Sequence, residues 1–283
     1  MMRTTDTPAA RPASTPSRRP KSALSLWASD SATMLRRNLR HMLRYPSMTL
    51  LLIFIPVVFL LLFVYVLGGT LGAGLGGPSG GRAEYVDYVT PGIILITIAA
   101  VAQGTAISVA MDMTGGIIAR FRTMAISRAS VLTGHVLGAM IQTMLAVAVV
   151  TGVALLIGFR PNATPTEWIA AIGVLAMVSW ALTWLTVALG MVSESVETAS
   201  NLPMPLLLLP FFGSGFVPTD SMPTVLRWFA EYQPFTPFIE TLRGLLMGTE
   251  IGNSAVLAVA WCIVITLVGF LWSRALFGRN PAR

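Results

Sequence analysis

The chain has 283 residues, of which 54% are hydrophobic and 11% charged, with a formal net charge of +7 and a mean hydropathy of +0.73. A soluble domain carries roughly 25% charged residues, and 19 basic plus 12 acidic side chains cannot coat a soluble surface of this size, so an ordinary soluble enzyme is excluded. One cysteine, Cys262, and two histidines, His41 and His135, exclude a disulfide framework and a Cys-rich zinc site, and leave little material for any metal centre. The basic residues sit at the ends and in gaps between apolar runs, a pattern of membrane topology; no nucleic-acid partner is expected.

Residues 1–22 are rich in Pro, Ser, Thr, Ala and Arg and read as a disordered cytoplasmic tail. No short apolar run with a small-residue cleavage site follows them, which argues against a signal peptide. Residues 23–46 form the next unit. Between Leu24 and Arg44 the helical period puts Leu24, Trp27, Leu35 and Met42 on one side and Arg36, Arg37, Arg40 and Arg44 opposite, as in an amphipathic helix lying on anionic headgroups of the inner leaflet. Pro46 then turns the chain into the membrane domain, 47–283.

Six runs are long enough to cross about 30 Å of hydrocarbon at 1.5 Å per residue: Thr49–Gly68, Tyr88–Met111, Thr133–Gly158, Trp168–Val192, Thr198–Val217 and Ala255–Trp272. Pro203, Pro205 and Pro210 interrupt the fifth, which is expected to be broken or kinked. With six crossings both termini share a side. The Lys and Arg residues divide 15 to 4 between the two faces, which makes that side the cytoplasm and the location the inner (plasma) membrane.

Gly72 to Gly77 fits the dinucleotide-binding glycine pattern but has no strand before it and no acid about twenty residues on, so it reads as a flexible external loop. Lys21 is the single lysine, so these residues hold no phosphate loop with its lysine, and a nucleotide that drives the protein is bound by another polypeptide. No Asp, Glu, Lys or Arg lies central in the six runs. Gln103 and Gln142, with Thr97, Thr105, Ser108 and Thr143, can tie helices together or face a polar cavity. Gly213-Ser214-Gly215 lacks the spacing of a nucleophile elbow, and His135 has no neighbouring carboxylate in sequence, which disfavours a membrane enzyme.

Between the second and third runs, Arg120, Phe121, Arg122, Met124, Ile126 and Arg128 combine apolar anchors with charges, as a helix docking into a partner's groove would; the plainer reading is a loop positive only for topology. Residues 218–254 carry Trp228, Phe229, Tyr232, Phe235 and Phe238 among prolines, and Phe235–Met247 is apolar but too short to span. Short re-entrant helices are expected there, with Glu240 and Arg243 three apart and able to pair.

The membrane portion resembles the type-2 permeases of ATP-binding-cassette exporters, in particular the daunorubicin/doxorubicin-resistance-like branch. The likeness lies in Arg36-Arg37-Asn38-Leu39 through Arg44-Tyr45-Pro46, Phe63 to Gly69, Arg120 to Arg128, Phe216-Val217-Pro218 with Met222-Pro223, and Gln233 to Pro237 with Glu240 to Gly244, in order across about 240 residues. Ala125 departs from the proline common there. The resemblance implies an all-α integral membrane protein with six transmembrane helices, an N-terminal interfacial helix and re-entrant helices before the last span. It also implies a second permease, another copy or a related subunit, two cytoplasmic ATP-binding subunits holding ATP and Mg, and export of a hydrophobic or amphipathic drug, antibiotic or lipid. No catalytic residue, metal or cofactor is expected in this chain. The alternative from the residues alone is an ion-gradient-driven carrier or channel independent of ATP.

Overall fold

The computed structural model describes residues 36, 40, 44, 46–75, 81–115 and 128–279. Among these there is helix and no strand. Helix α1 (Pro46–Leu62) passes through a π-helical stretch, Phe63–Leu67, into α2 (Gly68–Ala73). Gly68, Gly69 and Gly72 thus extend the first span, so the expected flexible loop does not start at Gly72; Gly76 and Gly77 of that pattern lie outside the described residues. Helices α3 (Arg82–Thr114), α4 (Arg128–Ile157) and α5 (Pro165–Val192) follow. Short helices α6 (Val196–Asn201) and α7 (Met204–Leu208) come next, then α8 (Thr224–Tyr232), α9 (Phe235–Met247) and α10 (Ser254–Arg279).

Among the described residues, five helices are long and apolar enough to cross a membrane: Thr49–Ala73, Arg82–Thr114, Thr133–Ile157, Pro165–Val192 and Ser254–Leu276. The expected fifth run is not a single helix. Pro203, Pro205 and Pro210 withhold backbone donors, and the chain there falls into α6, α7 and a 3₁₀ turn, Leu209–Phe212. Helix α5 starts on a capping box, with the Thr164 N–H and hydroxyl on Glu167 and Pro165 in the first turn.

Helix α3 is the axis of the bundle. Its most apolar window is 78% buried against 17% in α1 and in α10, so the two outer helices carry apolar side chains such as Phe54, Val256 and Ile263 on the outside of the bundle. Helix α3 packs on α1, α4, α5, α6 and α9, and α10 packs on α5 and α9. Close crossings depend on missing side chains. A Cβ on Gly269 of α10 would lie 2.6 Å from the backbone of α5 at Trp184 and Leu185.

These crossings set the directions. Helices α3, α5 and α10 run parallel, Gly190 meeting Ala106 and Gly269 meeting Trp184 in corresponding halves. Helices α1 and α4 run opposite, since Leu52 meets Gly104 while Gly68 meets Arg82, and Asp112 meets His135 while Asp87 meets Arg160. Pro46, Thr114, Arg128, Val192 and Arg279 therefore lie toward one end of the bundle, and Ala73, Arg82, Ile157, Pro165 and Ser254 toward the other.

Candidate functional site

Among the described residues, three groups of polar contacts in the interior tie separate elements together. The first is at the end of the bundle where α3 begins. Arg243 of α9 lays its guanidinium over the Tyr88 ring, 3.9 Å from the centroid. Its Nη2 donates to Ser214 O at 2.7 Å and Tyr88 O at 3.2 Å, while Tyr88 Oη donates to the same Ser214 O at 2.9 Å. Tyr85 Oη reaches Phe216 O at 3.3 Å. The segment after the 3₁₀ turn can come this near because Gly92 faces Gly215; a Cβ on Gly92 would stand 2.8 Å from Gly215 O. Glu240 acts on the Arg243 charge across space, as its place three residues before it suggests, while its own hydrogen bond comes from Ser254 Oγ at 2.7 Å, tying α9 to the start of α10. One turn of helix separates the two residues, yet α9 is buried against different neighbours on each face, and each side chain serves the neighbour it meets.

Beside this junction is a cavity of about 650 Å³ lined by Leu75, Ala83, Glu84, Asp87, Tyr88, Asn162, Pro218, Arg243, Met247 and Thr249. On its α3 wall, Asp87 Oδ1 accepts from the Arg160 N–H at 2.9 Å.

The second feature joins helices within the bundle. Gln103 Nε2 donates to Ser200 O of α6 at 2.6 Å, and Gln142 Nε2 to Thr49 Oγ1 of α1 at 3.3 Å. The hydroxyls expected to act with them turn inward instead. Thr97, Thr105, Ser108 and Thr143 donate to the carbonyls of Ile93, Val101, Gly104 and Ala139 on their own helices, because a short hydroxyl has an acceptor one turn back and a long amide does not.

The third, which sequence reasoning missed, is at the opposite end. His135 Nε2 lies 3.1 Å from Asp112 Oδ2, both side chains nearly enclosed, joining the end of α3 to the start of α4. The two are 23 positions apart, and only the antiparallel packing of two spans brings them together.

Of the expected docking residues, Arg120, Phe121, Arg122 and Met124 lie outside the described residues; Arg128 is the first residue of α4, and its side chain is also outside the description. Of the expected surface helix, Arg36, Arg40 and Arg44 are helical and exposed, four apart and so on one face, while Trp27 and Arg37 lie outside. At the end with the cavity, Trp228 and Tyr232 of α8 stand exposed with ring centroids 5.2 Å apart, and Arg227 binds Asp220 and Glu231 at 2.7 Å each. The hydrogen bond to Glu231, with both carboxylates, raises the Arg227 pKa above its usual value.

Comparison with known proteins meets this architecture from another direction. The family model for the ABC-2 type transporter matches residues 31–247. The chain is 27% identical over 222 residues to the daunorubicin resistance ABC transporter permease protein DrrB1 of Streptomyces coeruleorubidus, covering 78% of this chain and 76% of that one. It is also 27% identical over 179 residues to a doxorubicin resistance ABC transporter permease protein, DrrC, of Mycobacterium tuberculosis, covering 62% of this chain and 64% of the relative. With its long apolar helices and a family match over most of its length, the chain belongs to the ABC-2 type transporter family, as a multi-pass membrane permease.

Proposed function

We propose that this permease forms the membrane path of an ATP-driven exporter of hydrophobic or amphipathic molecules of the drug, antibiotic or lipid class, energised by two copies of a separate cytoplasmic ATP-binding subunit that hold ATP and Mg. A second permease copy completes the path. The observation that carries this reading is the family match over residues 31–247, on a sequence whose single lysine, Lys21, is far from any glycine-rich phosphate loop. The two relatives bear names of daunorubicin and doxorubicin resistance permeases, which favours drug-like molecules as cargo.

In this reading the broken segment from α6 to the 3₁₀ turn is the fifth of six crossings. It runs beside α3 from Gln103, which holds Ser200, to Tyr85, which holds Phe216, 18 positions or about 27 Å of helix at 1.5 Å per residue. Helices α8 and α9 then re-enter from the outer face, and both termini are cytoplasmic. The segment Arg120 to Arg128, between α3 and α4, is the coupling element. Phe121 and Met124 fill a groove of the ATP-binding subunit, and Arg120, Arg122 and Arg128 pair with its acids.

The test is purification of the full chain with its ATP-binding subunit. Cutting a buried aromatic anchor to alanine typically costs about 2 kcal/mol or more, and a rim charge much less. Phe121→Ala should therefore release the subunit and abolish export at wild-type membrane abundance, while Arg128→Ala does less. Unchanged co-purification and export by Phe121→Ala would remove the coupling role. Transport by this chain alone in liposomes, driven by an ion gradient, would replace the exporter reading with a carrier.

A further inference from the structure

The proposed coupling element joins α3 to α4, and its two roots lie among the described residues. Asp112 is two residues before the end of α3, and His135 is seven residues past the start of α4. At these roots His135 Nε2 donates to Asp112 Oδ2 at 3.1 Å, with 8% of the histidine side chain and 12% of the aspartate side chain exposed. Two helices in purely apolar contact can slide along one another, because apolar burial has no direction. A hydrogen bond is directional and holds its heavy atoms within about 3.2 Å, so it fixes the register of the two helices where the chain leaves one and enters the other.

Beside the pair lies a small apolar core, separate from the main one. Val109 of α3 and Val136 of α4 meet Trp184, Val187 and Met191 of α5 there, and Leu276 of α10 packs against them. Val109 stands one turn before Asp112, and Val136 follows His135 directly, so the pair borders this core. Helix α5 is pressed onto the same block, where a Cβ on Gly190 would stand 3.0 Å from Val109 Cβ. Two residues after Gly190, α5 ends at Val192, and the chain goes on into α6 and the proline-broken segment. The polar tie, the small core and the end of α5 are thus a contiguous series of packed contacts from the roots of the coupling element to the broken segment.

We infer that Asp112 and His135 are positioning residues for energy coupling. Their hydrogen bond makes the ends of α3 and α4 move as one body, so a displacement of the coupling element reaches α5 and the broken segment and is not lost in sliding of α3 against α4. The inference deepens the exporter reading and rests on it.

The full chain is purified with its ATP-binding subunit and placed in liposomes. Asn201→Cys, at an exposed position of α6, serves as reporter in a Cys262→Ser background, and thiol labelling is timed with and without a non-hydrolysable ATP analogue. With Asp112 and His135 in place, the analogue should change the labelling rate by about fivefold or more, the lower range of allosteric coupling. Glutamine and methionine have side chains of similar length, and only glutamine can donate to Asp112. His135→Gln should therefore keep the nucleotide response and His135→Met should lose it, while the subunit co-purifies with both and still hydrolyses ATP. A role in stability alone would lower the yield of His135→Met and leave the response of the folded molecules intact. Where His135→Met does not purify, His135→Leu is the variant without a donor. A full response without the donor, or loss of response in His135→Gln, overturns the proposal and leaves the exporter reading standing. If the analogue changes nothing with the pair in place, or the subunit does not co-purify, the exporter reading falls and this inference falls with it.

Discussion

His135 is nearly enclosed between α3 and α4, where little water can take the place of Asp112 as the partner of its Nε2. Leaving a buried hydrogen-bonding group unmatched costs about 1–3 kcal/mol. His135→Ala should lower stability in detergent unfolding by that amount, with partial recovery in His135→Gln, whose amide can still donate. No loss in the alanine variant would mean the pair is idle. Gly92 makes a similar case through space alone. Its hydrogen faces Gly215, and Gly92→Ala should cost about 1–3 kcal/mol by overpacking, read in the same assay. Neither contact was legible in the sequence, since both join residues from different spans. What the sequence does carry is the unusual type: a histidine and an acid flanking spans, a glycine after Pro91, an arginine in an apolar run. Such residues mark a site without naming its partner.

The long elements could be read almost directly, because an apolar run of twenty or more residues has no stable place but lipid, and its length is its span. The π-helical stretch Phe63–Leu67 and the continuation through Gly68–Ala73 were not legible, because glycine's weak helix propensity is overridden there by packing against α3. The prolines of the fifth run announced a break, while its course depends on Gln103 of another helix. Gln103→Leu should loosen α6 from α3 by about 0.6 kcal/mol, typical of a hydrogen bond between membrane helices, and cysteine cross-linking between the two helices should fall with it. An unchanged cross-linking rate would show that apolar contact alone holds the segment. At the other end of α5, Thr164→Ala removes the capping box and should cost about 1 kcal/mol.

For the molecule as a whole, two independent lines bear on sidedness. Helix directions put Pro46 and Arg279 at the same end as Thr114 and Arg128, and in the sequence the basic residues divide 15 to 4 in favour of the segments assigned to that side. On the proposed orientation this end faces the cytoplasm, because Lys and Arg are retained on that side during insertion. On the proposed six-crossing topology the proline-broken segment crosses, since α5 ends at Val192 and α10 begins at Ser254, toward opposite ends of the bundle. Single cysteines in a Cys262→Ser background test both statements in intact cells with a membrane-impermeant thiol reagent. Asp220→Cys and Thr249→Cys should label from outside, whereas Arg122→Cys and Glu194→Cys should label only after the membrane is opened. External labelling at position 122 would invert the molecule. Labelling of 194 and 220 from the same side would mean that the broken segment dips into the bilayer and returns, and that one of the long helices does not span.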